Sequence, residues 1–213
     1  MTPREASKQT KSVCALAPVI PVLTISNASF AEGLARALVA GGLPALEVTL
    51  RTPAALDAIR VMSKVDGGVV GAGTIMTPED VVEAKDAGAL FGVSPGSSPR
   101  ILDKAEEVGL PMLPGAATAT EIMALLDRGY TMLKFFPAEA SGGAPALGAF
   151  SGPIPQATFC PTGGVSLKNV HDYLALPNTV CVGGSWVAPA ALVEAEDWDA
   201  IQELAEDAAA LGG

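Results

Sequence analysis

Lys134 stands in TMLKFFPAEASGG (131–143), flanked by Leu133, Phe135 and Phe136 in a run that otherwise has the character of a buried strand. An amine there has two physical uses. It can snorkel, with its stem on apolar surface and its head in water, or it can be withheld from solvent and act as a nucleophile toward a carbonyl. A second charged pair lies in LEVTLRT (46–52). Period-two alternation puts Leu46, Val48 and Leu50 on one face and Glu47, Thr49 and Arg51 on the other. If the apolar face meets helices, Glu47 and Arg51 point inward. The same rule turns Lys134 inward with Met132 and Phe136, and Leu133 and Phe135 outward. Two inward groups of opposite sign make either a structural ion pair or an imine-forming lysine with a carboxylate proton shuttle. Spacing alone leaves both open.

Two Gly-Gly pairs each fall beside a hydroxyl residue, in PTGGVS (161–166) and VGGSW (182–186). Gly163, Gly164, Gly183 and Gly184 let backbone approach an anion closely, and Ser185 adds a hydroxyl donor. Tight turns are the bland alternative. Thr74 in GAGT and Ser94, Pro95 and Gly96 in SPGSSP end two further strands, as substrate contacts or as ordinary loop chemistry. His171, the single histidine, sits within a helical stretch and is expected to be structural or on the surface. With one histidine and no Cys or carboxylate cluster at ligand spacing, no metal site and no cofactor are expected.

These residues need elements to position them, and the chain supplies a regular alternation. Eight short apolar runs, from PVIPVLTI to VCVGGSW, are separated by helical stretches that open on Thr-Pro or Thr-x-Thr-Glu and close on Gly. Strand–helix alternation with short connections implies a parallel sheet. Eight units in 213 residues predict a single-domain (β/α)8 TIM barrel, whose sites lie at the C-terminal strand ends where the polar residues above fall. A doubly wound open sheet is the alternative. Residues 1–12 are expected to be a flexible tail, and residues 13–213 the barrel.

The formal net charge of -10 argues against nucleic acid or an anionic membrane as partner, but not against a small anionic substrate. Cys14, Cys160 and Cys181 show no paired spacing and are expected to be reduced. No segment approaches a membrane span, so a cytoplasmic protein is expected.

Taken together and in order, LEVTLRT, VGAGT, SPG, LKFFPAE, FCPTGGVS and VGGSW resemble the 2-keto-3-deoxy-6-phosphogluconate (KDPG) aldolase family, also described as 4-hydroxy-2-oxoglutarate aldolases. The resemblance runs from about Pro18 to the C-terminal helix. It implies a metal-independent lyase of the class I aldolase type, acting in the Entner–Doudoroff pathway on a phosphorylated keto acid as a homotrimer. Lys134 matches the Schiff-base lysine and Glu47 the general acid/base. Arg51, Thr74, Pro95, Phe136 and Thr162 match substrate contacts, with Thr162 tied to stereochemical discrimination. Gly163, Gly164, Gly184 and Ser185 match the phosphate site. Pro145 departs from the pattern, standing where a basic residue is expected near the phosphate entrance. The implied reaction cleaves KDPG to pyruvate and glyceraldehyde 3-phosphate, or 4-hydroxy-2-oxoglutarate to pyruvate and glyoxylate. Alternatives are the galactonate epimer as substrate, a thiazole- or indole-phosphate synthase, which would leave Glu47 and Lys134 unexplained, and a non-catalytic phosphometabolite-binding barrel.

Overall fold

The computed structural model describes residues 1–212. Its strands are β1 (Val19–Leu23), β2 (Ala45–Thr49), β3 (Val69–Gly73), β4 (Phe91–Val93), β5 (Met112–Leu113), β6 (Gly115–Ala116), β7 (Met132–Phe135), β8 (Thr158–Pro161) and β9 (Val182–Gly184). The helices are α1 (Pro3–Cys14), α2 (Ala31–Ala40), α3 (Ala55–Met62), α4 (Pro78–Asp86), α5 (Pro99–Val108), α6 (Ala119–Arg128), α7 (Gly143–Ala149), α8 (Val170–Leu174), α9 (Ala190–Glu194) and α10 (Trp198–Ala209).

The strands form a curled parallel sheet in two arcs, ordered β5-β4-β3-β2-β1-β9 and β6-β7-β8. The fifth expected strand, PMLPGA, is divided into β5 and β6 at Pro114. Proline has no N–H to donate to a ladder, so pairing stops there. The Pro114 carbonyl still accepts from Lys134 N at 2.9 Å. Isolated parallel bridges Phe159↔Thr179 and Thr162↔Gly183 connect β8 to the β9 region.

The expected helix starts hold at two sites, Thr77 and Thr118, and a third cap, at Ser98, joins them. Thr77 and Thr118 cap α4 and α6 with reciprocal bonds from Asp80 and Glu121, and Ser98 caps α5. Thr52-Pro53 does not open α3. That helix begins at Ala55 without a side-chain cap, and the Thr52 hydroxyl donates instead to Ile25 O.

Strand alternation sorts the core into an outer and an inner part. Leu46, Val48, Leu133 and Phe135 pack outward with helix residues such as Leu34, Leu38 and Ile59. Ile20, Ala45, Phe91, Val93, Leu113 and Met132 fill the inside. Because Met132 precedes Lys134 by two residues on the inward face, this apolar plug underlies the charged residues.

The N-terminal segment is not a loose tail. Thr2 and Glu5 form a capping box, Pro3 occupies the first turn, and α1 buries Ala6, Ser7, Thr10 and Cys14 along one face. Ser7 Oγ accepts from Thr131 N at 2.9 Å and from Met132 N at 3.4 Å, so α1 plugs the N-terminal end of the sheet beneath β7. The polar composition that suggested a tail belongs to the exposed face, while small residues make the buried one. No helix among the described residues is long and apolar enough to cross a membrane.

Candidate active site

Glu47 and Lys134, 87 residues apart in the chain, meet inside the curled sheet. Lys134 Nζ donates to Glu47 Oε1 at 3.1 Å, with side-chain exposures of 6% and 4%. The snorkelling alternative therefore fails: the amine ends on a carboxylate, not in water. Parallel register sets this meeting, since β2 pairs Glu47 with Gly71 of β3 and β7 pairs Lys134 with Cys160 of β8. Space for the carboxylate comes from Gly73, where a Cβ would collide with Glu47 Oε1. Sequence reasoning passed over Gly73, although its place in GAGT, opposite Thr49 in register, is where a missing side chain would matter.

The wall and floor of the pair are apolar. Lys134 Nζ lies 5.4 Å from the Phe136 ring centroid, within cation–π range. Below it, Cys14, Cys160 and Cys181 are buried and unpaired. The hydrogen bond from Cys160 pushes the Cys14 thiol well up and contact with Cys14 does the same to Cys181, whereas the hydrogen bonds from Cys14 and Cys181 push the Cys160 thiol well down. A proton passed along the Lys134–Glu47 hydrogen bond leaves a neutral amine beside a carboxylic acid. That is the pairing an imine-forming nucleophile and its acid/base partner require.

Above the pair opens a cleft of about 230 Å³, lined among others by Arg51, Phe136, Thr162, Gly163, Gly164 and Ser185. Among the described residues Arg51 is the one cation in its lining. Arg51 Nε donates to Thr74 Oγ1 at 3.1 Å. Thr74 holds φ 61, a left-handed conformation that is strained for a β-branched residue and characteristic of functional sites. Thr162 is buried at the end of β8, its Oγ1 3.9 Å from Cys160 Sγ.

Gly163 and Gly164 both take the left-handed backbone, at φ 99 and 82. A Cβ on Gly164 would come within 2.6 Å of Glu139 Cγ. The second glycine pair divides its work: Gly183 lines the cleft, whereas Gly184 lies against the Trp186 ring. Pro95 lies beside these walls rather than in them, its carbonyl against Gly115, while buried Ser94 donates its hydroxyl to Gly96 O. His171 is exposed on α8, as expected. Pro145 lines a separate depression with Glu139, Asn169, Asp172 and Tyr173.

A buried lysine–carboxylate pair at the strand ends of a parallel α/β sheet supplies the two groups an imine-forming aldolase needs, and comparison with known proteins defines the class. A family model described as "Aldolase: KDPG and KHG aldolase" matches residues 10–204. A 2-dehydro-3-deoxy-phosphogluconate aldolase of Pseudoalteromonas atlantica is 50% identical over 194 residues, covering 91% of this chain and 90% of that protein. The crystal structure of the Zymomonas mobilis 2-keto-3-deoxy-6-phosphogluconate aldolase with 3-phosphoglycerate superposes with a TM-score of 0.92 at 46% identity, covering 96% of this chain and 97% of that one. The Legionella pneumophila KDPG aldolase, with pyruvate captured at low pH as a covalent carbinolamine intermediate, gives a TM-score of 0.90 at 44% identity over 93% and 97% of the two chains. The chain is thus a lyase of the aldolase class. It belongs to the KDPG and KHG aldolase family.

Proposed function

We propose that this protein is a class I aldolase that cleaves 2-keto-3-deoxy-6-phosphogluconate to pyruvate and glyceraldehyde 3-phosphate through an imine on Lys134. The observation that carries this reading is the buried 3.1 Å contact between Lys134 Nζ and Glu47 Oε1. As the free amine, Lys134 attacks the C2 ketone and gives a carbinolamine, which loses water to an iminium. Glu47 donates and recovers the protons of these steps. It then takes the C4 hydroxyl proton, the C3–C4 bond breaks, and its electron pair flows into the iminium. Glyceraldehyde 3-phosphate leaves and an enamine remains. Protonation at C3 and hydrolysis release pyruvate and restore the lysine. The iminium is itself the electron sink, so this route calls on no metal and no cofactor.

Arg51, with Thr74 fixing its guanidinium, suits the keto acid carboxylate. Phe136 walls the pocket, Thr162 would read the C4 configuration, and Pro95 backs the cleft wall at the β4 end. Gly163, Gly164 and Ser185 face the phosphate, with Gly184 setting the Trp186 ring at the rim. The family description includes KHG, which supports unphosphorylated 4-hydroxy-2-oxoglutarate as a second substrate. The Pro114 carbonyl bond to β7 and the β8–β9 bridges support the two arcs as one closed (β/α)8 barrel. The barrel would work as a cytoplasmic homotrimer, which sedimentation analysis tests.

The deciding experiment is borohydride reduction in the presence of pyruvate, followed by peptide mass mapping. It should place a pyruvate-derived adduct on Lys134, and Lys134→Met should lose both adduct and turnover. An adduct on any other residue, or an active Lys134→Met protein, overturns the assignment.

A further inference from the structure

We infer that Asn169 is a positioning residue that shapes the phosphate-binding turn, and so sets the preference for phosphorylated over unphosphorylated substrate. The inference takes its substrates from the proposed function, but its main observable, anion binding, does not depend on catalysis.

Among the described residues Arg51 is the only cation lining the cleft, and it is engaged with Thr74. Pro145, close to Asn169 in the neighbouring depression, adds no cation. Holding a dianion therefore falls to backbone N–H groups, which bind anions when successive ones converge from a turn. Convergence requires that the intervening carbonyls be turned away, because a carbonyl oxygen facing the cleft would repel the ligand.

The carbonyls of Thr162, Gly163 and Gly164 are each tied down outside the cleft. Thr162 O accepts from Ala138 N at 2.8 Å and Gly163 O from Glu139 N at 3.0 Å. Gly164 O has no backbone donor. It accepts from Asn169 Nδ2 at 3.1 Å. The same side chain accepts from Ser166 N at 2.8 Å through Oδ1, so one amide spans the turn from Gly164 to Ser166. The N–H groups of Gly164 and Val165 have no hydrogen-bond partner among the described residues. They are the groups left for the anion.

A second brace acts from the other side. Tyr173 OH donates to Glu139 Oε1, and Glu139 Cβ and Cγ lie where a Gly164 side chain would be. Burial first, and the Glu139 hydrogen bond second, push the Tyr173 phenol well above its ordinary range, so it remains a donor throughout the working pH range. Of these fastenings, the Asn169 amide is the one made by a single side chain whose removal leaves the strands and the reacting pair intact.

The test titrates inorganic phosphate into the wild type, Asn169→Ala and Asn169→Asp, following tryptophan fluorescence, since Trp186 packs against Gly184 beside Ser185. KM and kcat are measured in parallel for KDPG and for 4-hydroxy-2-oxoglutarate. Freeing Gly164 O should weaken phosphate binding and raise the KM for KDPG by about tenfold, the effect of one unsatisfied polar group. The unphosphorylated substrate and borohydride trapping with pyruvate should be unchanged within about twofold. Asn169→Asp keeps the Ser166 bond and the side-chain volume but sets an acceptor against Gly164 O. It should lose phosphate affinity at least as severely while staying folded. Equal losses on both substrates mean a merely structural role and overturn the inference, as does wild-type phosphate affinity in either variant. A wild type that binds no phosphate overturns it as well. Failure of the aldolase reading would appear separately, as a wild type that binds phosphate but forms no imine.

Discussion

Removing one member of the Glu47–Lys134 pair should cost far more stability than removing both. At 3.1 Å the attraction between unit charges is about 5 kcal/mol for an effective dielectric of about 20. Desolvating each ion costs several kcal/mol, so the intact pair contributes little net stability. Its presence is explained by chemistry. Glu47→Leu leaves an ammonium enclosed by Phe136, Met132 and the thiols, and Lys134→Met leaves a carboxylate in the same space. Each should lose about 3–5 kcal/mol, whereas the double variant should lie within about 1 kcal/mol of the wild type or above it. The coupling energy in the cycle is then about 5 kcal/mol or more. Urea unfolding monitored by circular dichroism gives all four values, read as midpoint shifts at a common slope. Single losses that add to the double within about 0.5 kcal/mol would refute the reasoning. The two groups would then be independently solvated, and the shared proton on which the proposed chemistry depends would have no basis.

Two further expectations test features that lie outside the reacting groups. Gly73→Ala alters no functional group, yet its methyl enters the space of the Glu47 carboxylate. Turnover should fall by about tenfold or more through misplacement of the acid/base, and wild-type kcat would show that the carboxylate does not need its observed position. Ser7→Ala strands two backbone donors, Thr131 N and Met132 N. Urea unfolding should show a loss of about 1–3 kcal/mol, and an unchanged midpoint would return α1 to the status of an appendage.

What the sequence determined by itself is whatever depends on local periodicity. A pleated strand must alternate its faces, so the inward direction of Glu47, Arg51, Lys134 and Phe136 could be stated before any contact was known. Thr-Pro-x-Asp and Thr-x-x-Glu similarly announce the starts of α4 and α6, because a cap is an interaction across three residues. The same signal, Thr2-Pro3-Arg4-Glu5, was present at the start of α1 and was outweighed by the polar composition around it.

Tertiary structure decided everything that depends on strand order and register. That Lys134 reaches Glu47 across 87 residues, that Gly73 makes room for the carboxylate, and that Cys14, Cys160 and Cys181 meet beneath the amine are consequences of how the strands curl and align. No spacing along the chain encodes these distances. The phosphate turn shows the same division. Its glycines were legible because only glycine takes two successive left-handed conformations without strain. The Asn169 amide that closes the turn was not, because an asparagine just before a helix has an ordinary local use, and only the folded chain shows it fastening Gly164 O instead.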